Sequence, residues 1–191
     1  MPLILASTSP IRRAMLDQAG IAYETMKPMV DEDVIKARHG GDGETLARHL
    51  AEAKAISVEG DGYVIGSDSV VSVDGRLFDK PETRAQAAEH LRYFSGRLMG
   101  LSSAVAIAKG GQVDWVHGET AWLRVRELSD AFIEHYLEAE WPEVAYCVGV
   151  FRMEGPGVNL FETMDGSYFT ILGMPLLPLL GALRRRGVLQ Q

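Results

Sequence analysis

The order of apolar and polar positions along the chain predicts alternating strands and helices. Short apolar runs bounded by glycine or polar turn residues indicate strands, and apolar residues recurring every three or four positions indicate helices. Strands are predicted at 3–6, 63–65 with a continuation at 70–73, 101–108, 113–116, 121–125 and 168–172. Helices are predicted at 10–19, 44–57, 83–93, 129–140 and 176–186. This alternation places the chain in the α/β class.

Turn residues add detail to this picture. Asp74-Gly75 and Gly110-Gly111 favour tight hairpins, so we expect part of the sheet to be antiparallel. The glycine-rich segment 149–160 is predicted to be a loop. At 191 residues the chain is long enough for a sizeable core, and we expect one domain over residues 1–191.

Composition and charge exclude several classes of protein. A net charge of -7 argues against a broad nucleic-acid or membrane binder, because such proteins present a basic surface. A small anion remains compatible with this charge, since a few clustered cations and a divalent metal can hold it. Cys147 is the single cysteine, so no disulfide can form within the chain. No apolar run approaches the roughly 20 residues of a membrane span, and we expect a cytoplasmic protein.

The first candidate cluster follows the first predicted strand. Ser7-Thr8-Ser9-Pro10 precedes Arg12 and Arg13, and Ser9 and Pro10 suit the start of a helix. Free backbone N–H groups at a helix N-terminus form an anion site, and a bound phosphate would compensate arginines that oppose the helix dipole. The alternative is an ordinary helix cap with solvated arginines.

The second candidate is Asp68, within Gly66-Ser67-Asp68-Ser69 in an otherwise apolar strand. A carboxylate there is costly to bury unless it is paired or bound to a metal, and this setting suits a general base. The alternative is an aspartate that caps a turn at a strand end.

Three further charged positions fit a phosphate site, although each has an ordinary explanation. Lys80 follows a predicted hairpin and could bind phosphate, or it could be a surface lysine. Lys54 borders the apolar stripe of the second helix and could simply snorkel. The acidic run Asp31-Glu32-Asp33 could hold a divalent cation or form a solvated turn. The five histidines show no metal-ligand spacing.

Taken together, these motifs resemble the Maf family of nucleotide pyrophosphatases, in the same order from Leu3 to about Gly187. The matching segments are Leu3-Ile4-Leu5-Ala6-Ser7-Thr8-Ser9-Pro10 with Arg12 and Arg13, Val30-Asp31-Glu32, Leu50-Ala51 with Lys54-Ala55, Ile65-Gly66-Ser67-Asp68, Lys80-Pro81, Ser95-Gly96 and Gly173-Met174-Pro175-Leu176.

The resemblance implies a fold, a reaction and a set of site residues. The fold is an α/β, inosine-triphosphate-pyrophosphatase-like structure, with a long mixed sheet and two lobes around a deep cleft. The reaction is hydrolysis of a nucleoside triphosphate to the monophosphate and pyrophosphate, which requires a divalent metal, Mg or Mn. Asp68 is implied as the proton acceptor for a metal-activated water, and Glu32 with Asp68 as the metal carboxylates. The implied phosphate contacts are Ser7, Ser9, Arg12, Arg13, Lys54 and Lys80. A homodimer is common among members.

The preference for a particular nucleobase is predicted from three positions. Glu154, within Glu154-Gly155-Pro156-Gly157, resembles the branch that prefers 7-methyl-GTP, and its carboxylate could accept from the N–H groups of a guanine edge. That branch carries Trp where this chain has Ile11, and Gln where it has Ser69. Ile11 cannot stack on a cationic methylated guanine as a tryptophan would. We therefore expect a modified or non-standard nucleotide, with a 7-methyl-GTP-specific enzyme as one alternative.

Two alternatives remain, and the first belongs to a different class of protein. The first is a nucleotide-binding regulator of septum formation with little turnover, which has no need for a base such as Asp68. The second is a house-cleaning pyrophosphatase of another fold, whose motifs are absent from this sequence.

Overall fold

The computed structural model of the protein describes residues 2–190. The strands are β1 (Leu3–Ala6), β2 (Glu24–Met26), β3 (Tyr63–Val73), β4 (Arg76–Phe78), β5 (Leu98–Lys109), β6 (Gln112–Val125) and β7 (Phe161–Asp165). The α-helices are α1 (Pro10–Gln18), α2 (Glu32–Arg38), α3 (Gly43–Ile56), α4 (Arg84–Phe94), α5 (Asp130–Glu140), α6 (Tyr168–Ile171) and α7 (Leu176–Arg185). Two short 3₁₀ helices span Glu143–Tyr146 and Pro156–Leu160.

The strands form one mixed sheet, which confirms the expected α/β class. The strand order is β2-β1-β3-β5-β6-β7, and β4 also pairs with β3. β1 is parallel to both β2 and β3, whereas the other pairs are antiparallel. The predicted turns at Asp74-Gly75 and Gly110-Gly111 join β3 to β4 and β5 to β6.

The long strand β3 has a gap along one edge. β1 pairs with this edge as far as Gly66, and β4 pairs with it from Val71 onward. Within the described chain, residues 67–70 therefore have a strand neighbour only on the β5 side. A crevice beside the carboxyl end of a strand is where α/β sheets commonly bind ligands, and Asp68 lies in this one.

The apolar core is divided into separate clusters near the same place. One cluster surrounds the second half of β3 and includes Leu91 and Phe94 of α4 and Ile133 and Leu137 of α5. Two other clusters flank the first half, with α1 and α7 on one face of the sheet and α3 on the other. The two halves of the molecule meet around Asp68, in agreement with the expected two lobes and cleft.

Several predicted elements were wrong. Residues 168–172 were predicted as a strand because they form a short, mainly apolar run bounded by turn residues, but most of them form the single-turn helix α6, where neighbouring Thr170 and Ile171 are both buried. Tertiary packing thus overrides strand propensity. The predicted strands 113–116 and 121–125 are parts of one strand, β6. The short elements β2, α2 and β7 were not predicted.

None of the described helices is long and apolar enough to cross a membrane.

Candidate active site

Asp68 lies in the β3 gap, with its side chain 13% exposed. Side chains alternate along a strand, so Asp68 faces α3 while its neighbours Ser67 and Ser69 face the opposite side of the sheet. Its Oδ2 is 3.2 Å from Nζ of Lys54, and its Oδ1 is 3.8 Å from Nη2 of Arg12. The backbone N–H of Ser69 donates to Oδ1 at 2.9 Å. Two cations therefore compensate a carboxylate that would otherwise be costly to bury.

Lys54 reaches Asp68 because α3 packs directly on the backbone of β3. A Cβ at Gly66 would lie 2.2 Å from the carbonyl oxygen of Ala51 and 2.4 Å from the backbone nitrogen of Ala55, so only glycine permits this approach. The Lys54 side chain, 8% exposed, also lies 2.8 Å from Oε1 of Glu32. One ammonium group thus joins two carboxylates.

Arg12 is buried near the start of α1 and is held by a distant part of the chain. Its Nε donates to the carbonyl of Gly173 at 3.0 Å, and its Nη2 donates to Oγ of Ser69 at 3.1 Å. Burial lowers the pKa of Arg12 by more than the charges of Asp68 and Glu32 raise it. The positive charge of Arg12, part of the predicted anion site, is therefore balanced by nearby acidic side chains of the same chain.

The Gly173 carbonyl lies near two serine hydroxyls as well as Arg12. The hydroxyls of Ser67 and Ser69 lie 3.1 Å and 3.2 Å from it, and the single proton of Ser67 is shared with the closer carbonyl of Ala104 at 2.8 Å. Ser69 also hydrogen-bonds Ser103 at 2.9 Å, and Ser103 donates to the carbonyl of Thr170 at 2.8 Å. A predicted role for Ser69 in base choice stays a prediction, but its hydroxyl is already engaged with Arg12, Ser103 and Gly173.

Glu32 supplies the second carboxylate of the site. Burial raises the pKa of Glu32, but the hydrogen bond from Lys54 and the charges of Lys54, Lys36 and Lys80 outweigh burial and lower it. Within residues 2–190 no group of three or more His, Cys, Asp or Glu is placed to hold a metal. Mg²⁺, however, is usually bound by one or two carboxylates together with substrate phosphates. Asp68 and Glu32, which already share one cation, fit that donor set.

Asp68, Ser69 and Glu32 line a cleft of about 330 Å³, and Arg12 and Lys54 contact Asp68 without lining it. Its walls come from α2, α3, the middle of β3, β4 with the following connection, and the segment after α5; the charged lining residues are Glu32, Asp33, Lys36, Asp68, Asp79, Lys80 and Glu82. Lys80 is exposed on this wall, and its predicted phosphate contact stays a prediction. A second cavity, of about 440 Å³, lies at residues 35–49 and contains none of the predicted site residues.

The other predicted residues are less closely grouped. Ser7 is buried, and its Oγ accepts from the backbone N–H of Ser9 at 3.1 Å. Ser9 occupies the N-cap position of α1, yet its side chain makes no capping hydrogen bond. Arg13 is exposed, and it points about 100° away from Arg12 around the helix axis. Ile11 is half-buried.

Glu154 lies on the segment that follows α5. Arg152 fixes this segment by donating through Nε and Nη2 to the buried carboxylate of Glu140, at 3.0 Å in both cases. Burial, followed by the charge of Glu154, raises the pKa of Cys147 to about 11, whereas the charge of Lys80 lowers it. Cys147 is therefore a protonated thiol, and Glu154 is not among the residues that line the cleft.

Two features of the site were not found from the sequence. The Gly173 carbonyl is a backbone atom, and no side-chain pattern marks it. Lys36 lines the cleft and pairs with Asp79. Its four-residue spacing from Glu32 would have pointed to it if α2 had been predicted.

Comparison with known proteins gives a consistent result. The model of the family described as Maf-like protein matches residues 2–186. A 7-methyl-GTP pyrophosphatase of Rhizobium meliloti (strain 1021) is 44% identical, covering 98% of this chain and 97% of that protein. A nucleoside triphosphate pyrophosphatase of Nitrobacter hamburgensis is 45% identical, covering 98% and 95%. A solved dITP/XTP pyrophosphatase from Mycobacterium abscessus aligns with a TM-score of 0.41 and 19% identity, over 67% of this chain and 76% of that one. The match over nearly the whole length establishes that the chain belongs to the Maf family.

Proposed function

We propose that this chain is a nucleoside triphosphate pyrophosphatase that cleaves between the α and β phosphates, with Asp68 as the general base. The observation that carries the proposal is the Asp68 carboxylate, held between Arg12 and Lys54 at the open edge of β3. A pure nucleotide binder has no need for a general base beside the phosphates. Hydrolysis requires a proton acceptor at that position.

The cations of the cleft account for substrate binding. Arg12 can offer a further N–H group, because its Nη1 has no hydrogen-bond partner among the described residues. Lys80 adds positive charge on the cleft wall that follows β4, and Lys54 adds positive charge beside Asp68, 3.2 Å from its Oδ2. Such fixed charges stabilise the negative charge that develops on the leaving pyrophosphate, and they do so without reorganising during the reaction.

Asp68 completes the chemistry. Its carboxylate accepts the proton of the attacking water, and Arg12 and Lys54 keep the side chain oriented toward the cleft. Asp68 and Glu32 would hold a divalent metal, which would supply Lewis-acid stabilisation of the phosphate charge.

For the nucleobase of the substrate, we propose a guanine-like or other non-standard purine. Glu154 supports this, because a carboxylate can accept two hydrogen bonds from adjacent N–H groups of a guanine edge. Ile11 offers apolar contact without the stacking of an aromatic ring. The relatives at 44% and 45% identity carry different names, so identity alone does not choose between a 7-methyl-GTP-specific and a broader enzyme.

The proposed nucleobase preference is tested with Glu154→Gln. We expect the variant to lose roughly tenfold in kcat/KM for its preferred guanine-type substrate, which corresponds to about one charge-assisted hydrogen bond. Pyrimidine triphosphates should be affected much less. Equal losses for purine and pyrimidine substrates would assign Glu154 a structural role.

The function itself is tested by a pyrophosphate-release screen over ordinary and modified triphosphates, including 7-methyl-GTP, with Mg²⁺ or Mn²⁺ and with EDTA. We expect metal-dependent release from at least one nucleotide. Calorimetric binding of a nucleotide without pyrophosphate release across the panel would instead favour the regulator of septum formation.

A further inference from the structure

We propose that Lys36 is a further phosphate-binding residue of this cleft, and that Asp79 holds its ammonium group until a triphosphate displaces the carboxylate. The proposal rests on the pyrophosphatase function proposed above. It adds a cation that the family resemblance did not identify and a competing anion that regulates it.

The position of Lys36 follows from the local geometry of α2. Glu32 and Lys36 are four residues apart on this helix, so their side chains emerge on the same face. Both line the cleft. The face of α2 that carries the predicted metal carboxylate therefore also carries a lysine directed toward the substrate.

α2 has little else to hold it in place. None of its residues is buried, and only Ile35 packs partly against the apolar cluster under α3. Its other ties are charged: Glu32 pairs with Lys54 at 2.8 Å, and Lys36 pairs with Asp79 at 2.5 Å. The second pair spans the cleft from α2 to the connection between β4 and α4. Binding and release of Lys36 can therefore occur without disturbing an apolar core.

The electrostatic surroundings keep Lys36 charged. Burial lowers the pKa of Lys36, but the hydrogen bond and charge of Asp79 and the charges of Glu32 and Asp68 outweigh burial and raise it. Lys36 therefore senses the same two carboxylates that define the catalytic site. A cation at this position can neutralise a phosphate group bound beside them.

The partner of Lys36 is easily displaced. Asp79 is 72% exposed in its side chain, whereas Lys36 is 30% exposed. Exposed ion pairs contribute little net stability, because solvent competes for both charges. A polyphosphate brings several negative charges to the cleft, so it can take Lys36 from a single carboxylate. Asp79 also precedes Lys80, and its negative charge opposes phosphate binding at that lysine.

The proposal predicts effects of opposite sign for the two partners. Lys36→Gln should raise the KM for the triphosphate roughly tenfold with little change in kcat, because it removes one charge-assisted contact. Asp79→Asn should lower the KM, since it frees Lys36 and removes a repulsive charge. A pair that serves only to hold α2 would give the same direction of change for both variants. Lys109→Gln, at the β5–β6 hairpin outside the cleft, is the matched control and should leave KM unchanged.

The decisive measurement is calorimetric binding of inorganic pyrophosphate to the wild-type protein and the three variants, because it does not depend on turnover. Weaker binding by Lys36→Gln and tighter binding by Asp79→Asn would support the proposal, even if no nucleotide were hydrolysed and the proposed function failed. Unchanged binding by Lys36→Gln, or weaker binding by both variants, would overturn it, even with a fully active wild-type enzyme. Thermal unfolding of each variant verifies that the folded protein is being compared.

Discussion

The contact between α3 and Gly66 leads to a prediction that links packing to activity. In Gly66→Ala, the added Cβ would lie 2.2 Å from the Ala51 oxygen and 2.4 Å from the Ala55 nitrogen. Heavy atoms in contact are normally about 3.5 Å apart, so the helix would have to retreat by about 1 Å. Forcing an extra methyl group into a packed core typically costs about 1–3 kcal/mol of unfolding free energy.

This retreat should also reduce activity. Lys54 lies on α3 between Ala51 and Ala55, so it moves with the helix, and its 3.2 Å contact with Asp68 opens. A misplacement of about 1 Å in a catalytic group can lower the rate about a hundredfold. We therefore expect Gly66→Ala to lose activity beyond what its reduced stability explains at temperatures where it is fully folded.

The assay combines urea unfolding, followed by circular dichroism, with pyrophosphate release at saturating metal. Gly40→Ala is the matched control, because a Cβ there meets no atom within 4 Å and the residue does not need a positive φ. The control should match the wild type in both measurements. Wild-type stability and activity in Gly66→Ala would refute the reasoning that only glycine allows α3 to place Lys54.

Two further predictions test buried polar groups. Ser69→Ala removes the hydroxyl that accepts from Arg12, so we expect kcat/KM to fall roughly tenfold; unchanged kinetics would show that Gly173 alone positions the arginine. His90 is buried with no hydrogen-bond partner for its Nδ1, and burial, with a smaller contribution from Arg76, lowers its pKa from the ordinary 6.5. Its neutral form is favoured in the folded protein, so the associated stability is complete above pH 6.5 and is lost as the pH falls below that value. In urea titrations His90→Phe should be more stable than the wild type by about 1 kcal/mol at pH 7 and less sensitive to acid; an unchanged acid dependence would exclude His90 as its source.

The sequence predicted the elements that carry an apolar pattern. The predicted positions of these elements are close to the observed ones, because each element buries an apolar face in the core. They are β1, β3, α1, α3, α4 and α5. α2 and β7 were missed for the corresponding reason. α2 buries none of its residues and β7 buries only Phe161, so neither shows an apolar stripe or alternation.

The site divides in a similar way. Asp68, Arg12, Lys54 and Glu32 were selected from the sequence, and they form one connected group of charges. What could not be predicted is how the group is held. The Gly173 carbonyl lies 161 residues from Arg12 and is a backbone atom, so only the folded chain shows that it positions the arginine. The role of Lys36 likewise depends on the course of a helix that its local sequence did not reveal.

The assignment of Asp68 as the base is tested most directly by Asp68→Asn, measured for both pyrophosphate release and nucleotide binding. The substitution keeps the shape of the side chain but removes its ability to accept a proton. We expect release to fall by about 10²–10⁴-fold, while calorimetry still detects nucleotide binding and the variant remains folded. Asp165→Asn, at an exposed position on β7, controls for the chemical change and should match the wild type. Pyrophosphate release by Asp68→Asn at the wild-type rate would contradict the assignment.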